Sequence, residues 1–362
     1  MSSIHELLAQ AVALGASDVH ITPNQRPVMR VESALHVAAF EPLTDEEITL
    51  IAEELAPTHA RRRLLELREC DFSHVEPGVG RFRTNIFYGK GVPAIAMRYV
   101  KAEIPTLEAL NLPARLERCA AAPDGIVILS GTTSSGKSST LAALIGIINR
   151  TAARRIITIE DPIEYEFHDE QSTITQREVG LDTSTFATGL RQMLRQDPDV
   201  ILIGEVRDPE SLRIGIMAAE TGHLVFTTLH AGTASLAVPR LLNEFPSAEQ
   251  DRIRVALAAN LQAIICQRLI PAAQGGVVPA VEIMFNTPMV QKLVARNQLD
   301  KLHPAIETGN EEGMQSFDQD IYRLIQEGTI TERTGLEYAT NPEKLRMNLD
   351  GIFLSEEHHI LT

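Results

Sequence analysis

The stretch GTTSSGKSS, residues 131–139, restricts the possible fold more than any other part of the chain. It matches GxxxxGK[ST] in full, follows the apolar run GIVILSG (125–131) and opens a helical stretch over 137–150. A strand that turns through such a loop straight into a helix points several main-chain N–H groups, and the helix N-terminus, at one place. That is a cradle for phosphate oxygens. Gly131 and Gly136 permit a backbone geometry that a Cβ would hinder. Lys137 places a cation at the β- and γ-phosphates, and the Ser138 hydroxyl can bind Mg²⁺. The candidate nucleotide-binding residues are Gly131, Thr132, Thr133, Ser134, Ser135, Gly136, Lys137, Ser138 and Ser139.

The surrounding rhythm fits a parallel sheet. Apolar runs at 125–131, 155–161, 199–205 and 223–230 alternate with helical stretches at 137–150, 184–195 and 209–221. Asp208 caps the last of these, with Pro209 in its first position. Near-continuous apolar strands separated by helices are buried on both faces. The remainder, about 236–362, reads as mainly helical. Residues 1–100 read differently, as a small α+β domain. Ser3 and Glu6 form an N-terminal capping box and Gly15 stops that first helix; a second helix spans about 44–56 with its cap near Thr44. GRFRTNIFYGKGVPAIAMRYV (80–100) reads as a hairpin turned at Gly89–Gly91. Residues 101–113, with Pro105 and Pro113 around a short helical turn, are the expected hinge, and 114–362 the second domain.

Binding phosphate is not hydrolysis, which needs a magnesium site and a group that handles water. The carboxyl ends of parallel strands are where such groups belong. TIEDPIEYEF (158–167) ends one strand with Glu160, Asp161, Glu164 and Glu166. VILIGE (200–205) ends another with Glu205, although Gly204 stands where such strands usually place an aspartate. HLVFTTLH carries His223 and His230 at its two ends. His230, at the carboxyl end, is the better candidate for sensing a γ-phosphate. The net charge of −15, with 4% aromatics and no tryptophan, disfavours general nucleic-acid binding. Three scattered cysteines support neither a zinc ribbon nor a disulfide framework and fit a reducing cytoplasm. The N-terminus lacks the features of a signal peptide, and runs such as LAALIGII (141–148) are too short to cross a bilayer.

The four boxes, in this order, resemble the secretion and type IV pilus ATPases of the additional-strand, RecA-like class. In that family GTTSSGKSS is the Walker A loop, TIEDPIEYEF the Asp box, DPDVILIGEVRD an atypical Walker B, and AAETGHLVFTTLHAGTA the His box. The resemblance implies an α/β fold, a RecA-like P-loop ATPase core with a smaller N-terminal PAS-like α+β domain. It makes Gly204 normal for the family. It implies Glu164 as the catalytic base, Glu205 as the acid that holds Mg²⁺ with Ser138, directly or through water, and His223 and His230 as the His-box pair. The N-terminal domain of the family lends arginines to a nucleotide on the neighbouring subunit or its own; Arg81, Arg83 and Arg98 are the candidates here.

GMQSFDQDIYRLIQEGTI (313–330), and the lack of a four-cysteine insert, point within the family to the retraction branch, PilT or PilU. The implied protein is an ATP- and Mg²⁺-using hexameric motor of pilus retraction and twitching motility. It is cytoplasmic, peripheral at the inner membrane through a pilus platform protein, with a second retraction ATPase as a further expected partner. Three departures bear on this. Thr132 and Ser134 replace the family's proline and glycine, so the Ser134 backbone is expected to avoid positive φ. MVQKL (289–293) puts Gln291 in place of the arginine of a PilT motif, and the tail 341–354 looks more like PilU. An accessory, PilU-like retraction ATPase is therefore the alternative, ahead of a pilus-assembly or type II secretion ATPase. Outside the family, a non-hydrolysing regulatory subunit is opposed by intact Lys137, Glu164 and Glu205, and a RecA-like DNA motor by the acidic charge.

Overall fold

The computed structural model describes residues 4–31, 34–100, 103–206 and 208–352. Ser3, residues 101–102 of the expected hinge and residues 353–354 of the compared tail lie outside them. The described residues form two compact units. The first contains the chain as far as Ile104 together with Glu160–Phe167 and Gln176–Thr185; the second contains Pro105–Ile159, His168–Thr175 and the chain from Phe186 onward.

The first unit begins with α1 (Ile4–Ala13), which ends before Gly15 at φ +68°. Three short strands follow, β1 (Asp18–Ile21), β2 (Val28–Val31) and β3 (Ala34–Val37), then α2 (Asp45–Leu55) and α3 (Thr58–Leu67). The Thr44 hydroxyl accepts from Glu47 N at 3.2 Å while the Glu47 carboxylate accepts from Thr44 N at 2.9 Å, a complete capping box for α2. Longer strands β4 (Glu69–Glu76), β5 (Gly80–Gly89) and β6 (Val92–Val100) complete an antiparallel sheet of order β3-β2-β1-β6-β5-β4. The hairpin β5–β6 turns where the glycines of 89–91 place it. Side chains alternate as a half-covered sheet requires. Phe82, Ile86, Ile95 and Met97 pack in one core with Leu7, Leu8, Ile48 and Ala52 of the helices, whereas Arg83 and Arg98 face the other way.

From Pro105 onward the chain runs α4 (Glu117–Ala121), β7 (Gly125–Ser130), α5 (Lys137–Thr151), β8 (Arg155–Glu160), β9 (Thr173–Glu178), α6 (Phe186–Met193), β10 (Val200–Ile203), α7 (Pro209–Glu220), β11 (Leu224–Leu229), α8 (Ala234–Asn243) and α9 (Ser247–Asn260), with Glu160 and the last three residues of β9 counted in the first unit. Then come β12 (Leu261–Pro271), β13 (Val277–Phe285), α10 (Pro288–Ala295), α11 (Leu302–Thr308), α12 (Phe317–Gln326), α13 (Glu332–Tyr338) and α14 (Pro342–Leu349). The sheet order is β13-β12-β7-β11-β10-β8-β9; β12, β7, β11, β10 and β8 run parallel and β13 returns antiparallel. Every residue of β7, β10 and β11 is buried, as expected of central strands covered on both faces.

The mainly helical reading of 236–362 fails at β12 and β13, which pair over nine residue pairs beside β7. LQAIICQRLIP is apolar on both faces because β12 is an interior strand, and periodicity cannot separate such a run from a buried helix. Among the described residues no helix is long and apolar enough to cross a membrane.

Candidate active site

In the second unit, β7 delivers the chain to Gly131 at φ +148° and α5 leaves from Gly136 at φ +87°. Both are positions where a side chain meets an obstacle. A Cβ on Gly131 would lie 2.4 Å from the Gln267 carbonyl oxygen and 2.6 Å from Ser135 Oγ; one on Gly136 would lie 2.6 Å from Gln267 Nε2. The Ser134 expectation is overturned: its φ is +60°. Ser135 N bonds back to Thr132 O at 3.3 Å, and the tight turn this closes carries Ser134 into the left-handed region. That conformation costs a non-glycine residue about 1–2 kcal/mol, and strain of this kind concentrates where function over-determines the backbone.

The loop fits a polyphosphate. No side chain caps α5, so the N–H groups of its first turn are left to a ligand. Ser135 Oγ is buried without a hydrogen-bond partner. Lys137, 9% exposed, folds back on the loop, donating to Gly131 O at 2.9 Å and Thr132 O at 2.8 Å. Beneath lies Gln267 of β12, absent from the sequence-derived set, whose Oε1 accepts from Thr140 Oγ1 at 2.8 Å. It sits far from the loop in sequence, and only the strand that the helical reading hid could have revealed it.

Four strand ends are tied together beside the loop. Ser130 Oγ donates to Ala231 O at 2.9 Å and accepts from Ala231 N at 2.8 Å. Gly204 N donates to Ile159 O at 2.8 Å, and Gly204 O accepts from Thr228 Oγ1 at 2.8 Å. His230 bridges what these ties bring close: its Nδ1 lies 3.1 Å from Gly131 O and its Nε2 3.0 Å from Glu205 Oε1. A carbonyl only accepts, so Nδ1 carries a proton. Ser138, half-buried in the first turn of α5, is the hydroxyl available for a metal ion. His223 is not brought here. It precedes β11, so the strand's six residues separate it from His230, roughly 20 Å at strand rise. There its Nδ1 lies 2.9 Å from Ala218 O and 3.2 Å from Thr221 Oγ1, which secures the end of α7.

The remaining candidates lie in the first unit. Glu164 is exposed on the loop after β8, while Glu160 is buried, with Gln176 Nε2 donating to its Oε1 at 3.2 Å. Arg83 and Arg98 stand directly opposite each other on β5 and β6, a like-charge pair that is unfavourable by itself. Arg98 donates from Nε to Asp18 Oδ1 at 2.8 Å. Burial pushes the Asp18 carboxyl up, but the Ser17 hydroxyl and the Arg98 guanidinium outweigh it and hold it below its ordinary value. Arg83 is exposed. Arg81 differs from both. Its Nη1 lies 3.7 Å from Glu178 Oε2, too far for a hydrogen bond, and its Nε and Nη1 are buried without one. Glu178, 3% exposed, was not singled out in the sequence; no apolar alternation marks β9, so nothing announces it as inward-facing.

The family model for type II/IV secretion system proteins matches residues 1–277. The type IV pilus ATPase PilU of Pseudomonas aeruginosa is 39% identical over 343 residues, 94% of this chain and 90% of that protein. The type IV pilus retraction ATPase PilT of the same organism is 38% identical over 340 residues, 94% of this chain and 99% of that one. A crystal structure of the pilus retraction motor PilT with bound ADP superposes with a TM-score of 0.88 at 40% identity, covering 95% of this chain and 99% of that chain. The Legionella pneumophila ATPase DotB superposes at 0.81 and 25% identity, with 96% and 95% covered. The phosphate loop, the carboxylates and the bridging histidine thus belong to a known lineage: the chain is a member of the type II/IV secretion system protein family and, within it, of the PilT/PilU group of type IV pilus ATPases.

Proposed function

We propose that this chain hydrolyses ATP to retract a type IV pilus, as a ring of six copies at the cytoplasmic face of the inner membrane. The observation that carries the chemistry is His230 held between the phosphate-loop carbonyl of Gly131 and the carboxylate of Glu205. The likeness to PilT, whose solved structure holds ADP, supports the substrate and the task.

Gly131 through Ser139 receive the triphosphate through main-chain N–H groups and the N-terminus of α5. Lys137 exchanges its two carbonyl contacts for β- and γ-phosphate oxygens. Ser138 and Glu205 would hold magnesium, which would supply charge neutralisation at the phosphates. Glu164 orients the attacking water and takes its proton. His230 senses the γ-phosphate, because any shift of the loop carbonyl or of Glu205 alters one of its two contacts. Arg83 and Arg98 have guanidinium groups on an open sheet face and complete the charge clamp from a neighbouring subunit or their own. A supplied arginine changes rate by about 10³–10⁵. Rotation about the segment 101–113 turns hydrolysis into movement of one domain on another. The ring acts on a membrane platform protein, and a second retraction ATPase can share the work.

Glu164→Gln tests the reading. It is expected to leave ADP affinity nearly unchanged and to abolish phosphate release from Mg-ATP. Retained turnover would place the base elsewhere.

A further inference from the structure

We propose that Glu178 is a positioning residue that clasps the Glu164 loop to the N-terminal sheet and so fixes where the water-activating carboxylate stands. The proposal rests on the reading of Glu164 as the base and adds a residue that this reading does not contain.

One oxygen carries the clasp. Glu178 Oε2 accepts from Ser73 Oγ of β4 at 2.6 Å and from the main-chain N of Ile163, the residue before Glu164, at 3.2 Å. The Arg81 guanidinium of β5 faces the same oxygen at 3.7 Å. Ser73 pairs with Arg83 and Val75 with Arg81, so Ser73 and Arg81 rise from the same face of the sheet. The carboxylate is buried and cannot exchange these partners for water. A buried charge that loses one partner is left uncompensated, so the contacts persist together or fail together.

The Glu164 loop is stiff between its ends. Val179 N donates to Glu160 O at 2.9 Å. Gln176 Nε2 donates to Tyr165 O at 2.8 Å, and its Oε1 accepts from Phe167 N at 2.8 Å. The loop is therefore fastened to β9, and β9 at Glu178 to β4 and β5. Glu160–Phe167 and Gln176–Thr185 lie in the first compact unit together with β4 and β5.

The test uses the full chain and three variants, Ser73→Ala, Glu178→Ala and the double. The readouts are Mg-ATP turnover, ADP affinity by titration, and amide hydrogen exchange. A displaced loop is expected to lower kcat by about 10²-fold in Glu178→Ala, since a misplacement near 1 Å costs that much. Ser73→Ala, which removes one donor and is the mildest change, should lower kcat by about tenfold. ADP affinity should stay within about threefold, because the phosphate loop is untouched. Exchange at Ile163 and its neighbours should accelerate while α5 is unchanged, and the double variant should lose no more than Glu178→Ala alone. Unchanged exchange over 160–167, or turnover losses that multiply in the double variant, would overturn the clasp, as would ADP affinity falling in step with kcat. Glu164→Gln separates the two readings. Full turnover in that variant removes the base assignment, while the exchange data still decide whether the clasp exists. A dead Glu164→Gln with unchanged exchange in Ser73→Ala and Glu178→Ala overturns the clasp alone.

Discussion

Alanine at Gly131 should harm the protein far more than alanine at Gly136 or Gly222, although all three glycines have positive φ. At Gly222, φ is +90° and a Cβ would meet nothing within 4 Å, so the cost is backbone strain alone. That is about 1–2 kcal/mol. At Gly136 the same strain is joined by contact with Gln267 Nε2 at 2.6 Å, the far end of a side chain that can swing away. Swinging loosens the bond from Thr140 to the same amide group, adding about 0.5–1.5 kcal/mol. At Gly131 the obstacle at 2.4 Å is the main-chain oxygen of Gln267, part of an interior strand that cannot yield. Strain of about 1–3 kcal/mol and overpacking of about 1–3 kcal/mol then add to roughly 2–6 kcal/mol. Urea unfolding at unchanged m measures the order through its midpoint, and ADP titration measures the loop. Gly131→Ala should also weaken ADP by about 10²-fold or more, and Gly222→Ala should leave it unchanged. The two clashes differ in one more way. Gln267→Ala removes the amide but not the carbonyl, so it should relieve Gly136→Ala in a double-mutant cycle and not Gly131→Ala. Gly131→Ala that is no worse than Gly222→Ala, or that binds ADP normally, would refute the reasoning.

Two further outcomes follow from single residues. Ser134→Gly should release the left-handed penalty of about 1–2 kcal/mol, offset by about 0.5–1 kcal/mol of unfolded-chain entropy; a thermal melt should rise slightly, and a clear fall would contradict the strain at φ +60°. The second concerns acid. Burial pushes the Glu76 carboxyl up, but hydrogen bonds from His74 at 2.9 Å and His5 at 2.7 Å outweigh it and hold it below its ordinary value. A lowered folded-state pKa gives stability that is complete above the ordinary value of 4.5 and is lost as pH falls below it. His74→Ala should therefore shrink the loss of urea midpoint below that pH, and identical pH profiles for variant and wild type would count against it.

What the sequence disclosed was local. The phosphate loop is contiguous, so its motif, its strand and its helix could be read together, and the caps at Thr44 and Asp208 were legible because each partner lies three residues away. What it hid depends on distant segments. Gln267 touches the phosphate loop only because β12 lies beside β7. Arg81 could be read as one more sheet arginine like Arg83, yet it faces Glu178, while Arg98 pairs with Asp18. His223 and His230 share one strand and one motif, and the direction of β11 alone separates them, one toward the loop and one toward the end of α7. Ser134 failed for another reason. Residue type argues against positive φ, but the turn 132–135 fixes the backbone first and the side chain bears the cost.

The glycine at 204 shows how an acid can leave a strand and still be aimed. Inside β10 the alternation of side chains would set the direction of a carboxylate, but the strand ends at Ile203. Gly204 spends its main chain on both neighbours, donating to Ile159 and accepting from Thr228, which anchors the backbone without orienting the next side chain. Past the strand end Glu205 is met by His230 Nε2, 3.0 Å from its Oε1. The histidine is itself in contact at Nδ1 with Gly131 O, so one contact of the acid leads back to the phosphate loop. An aspartate fixed within the strand would hold its direction whether or not a nucleotide were bound. A glutamate that touches His230 is linked to the phosphate loop, so its position responds to movement of that loop.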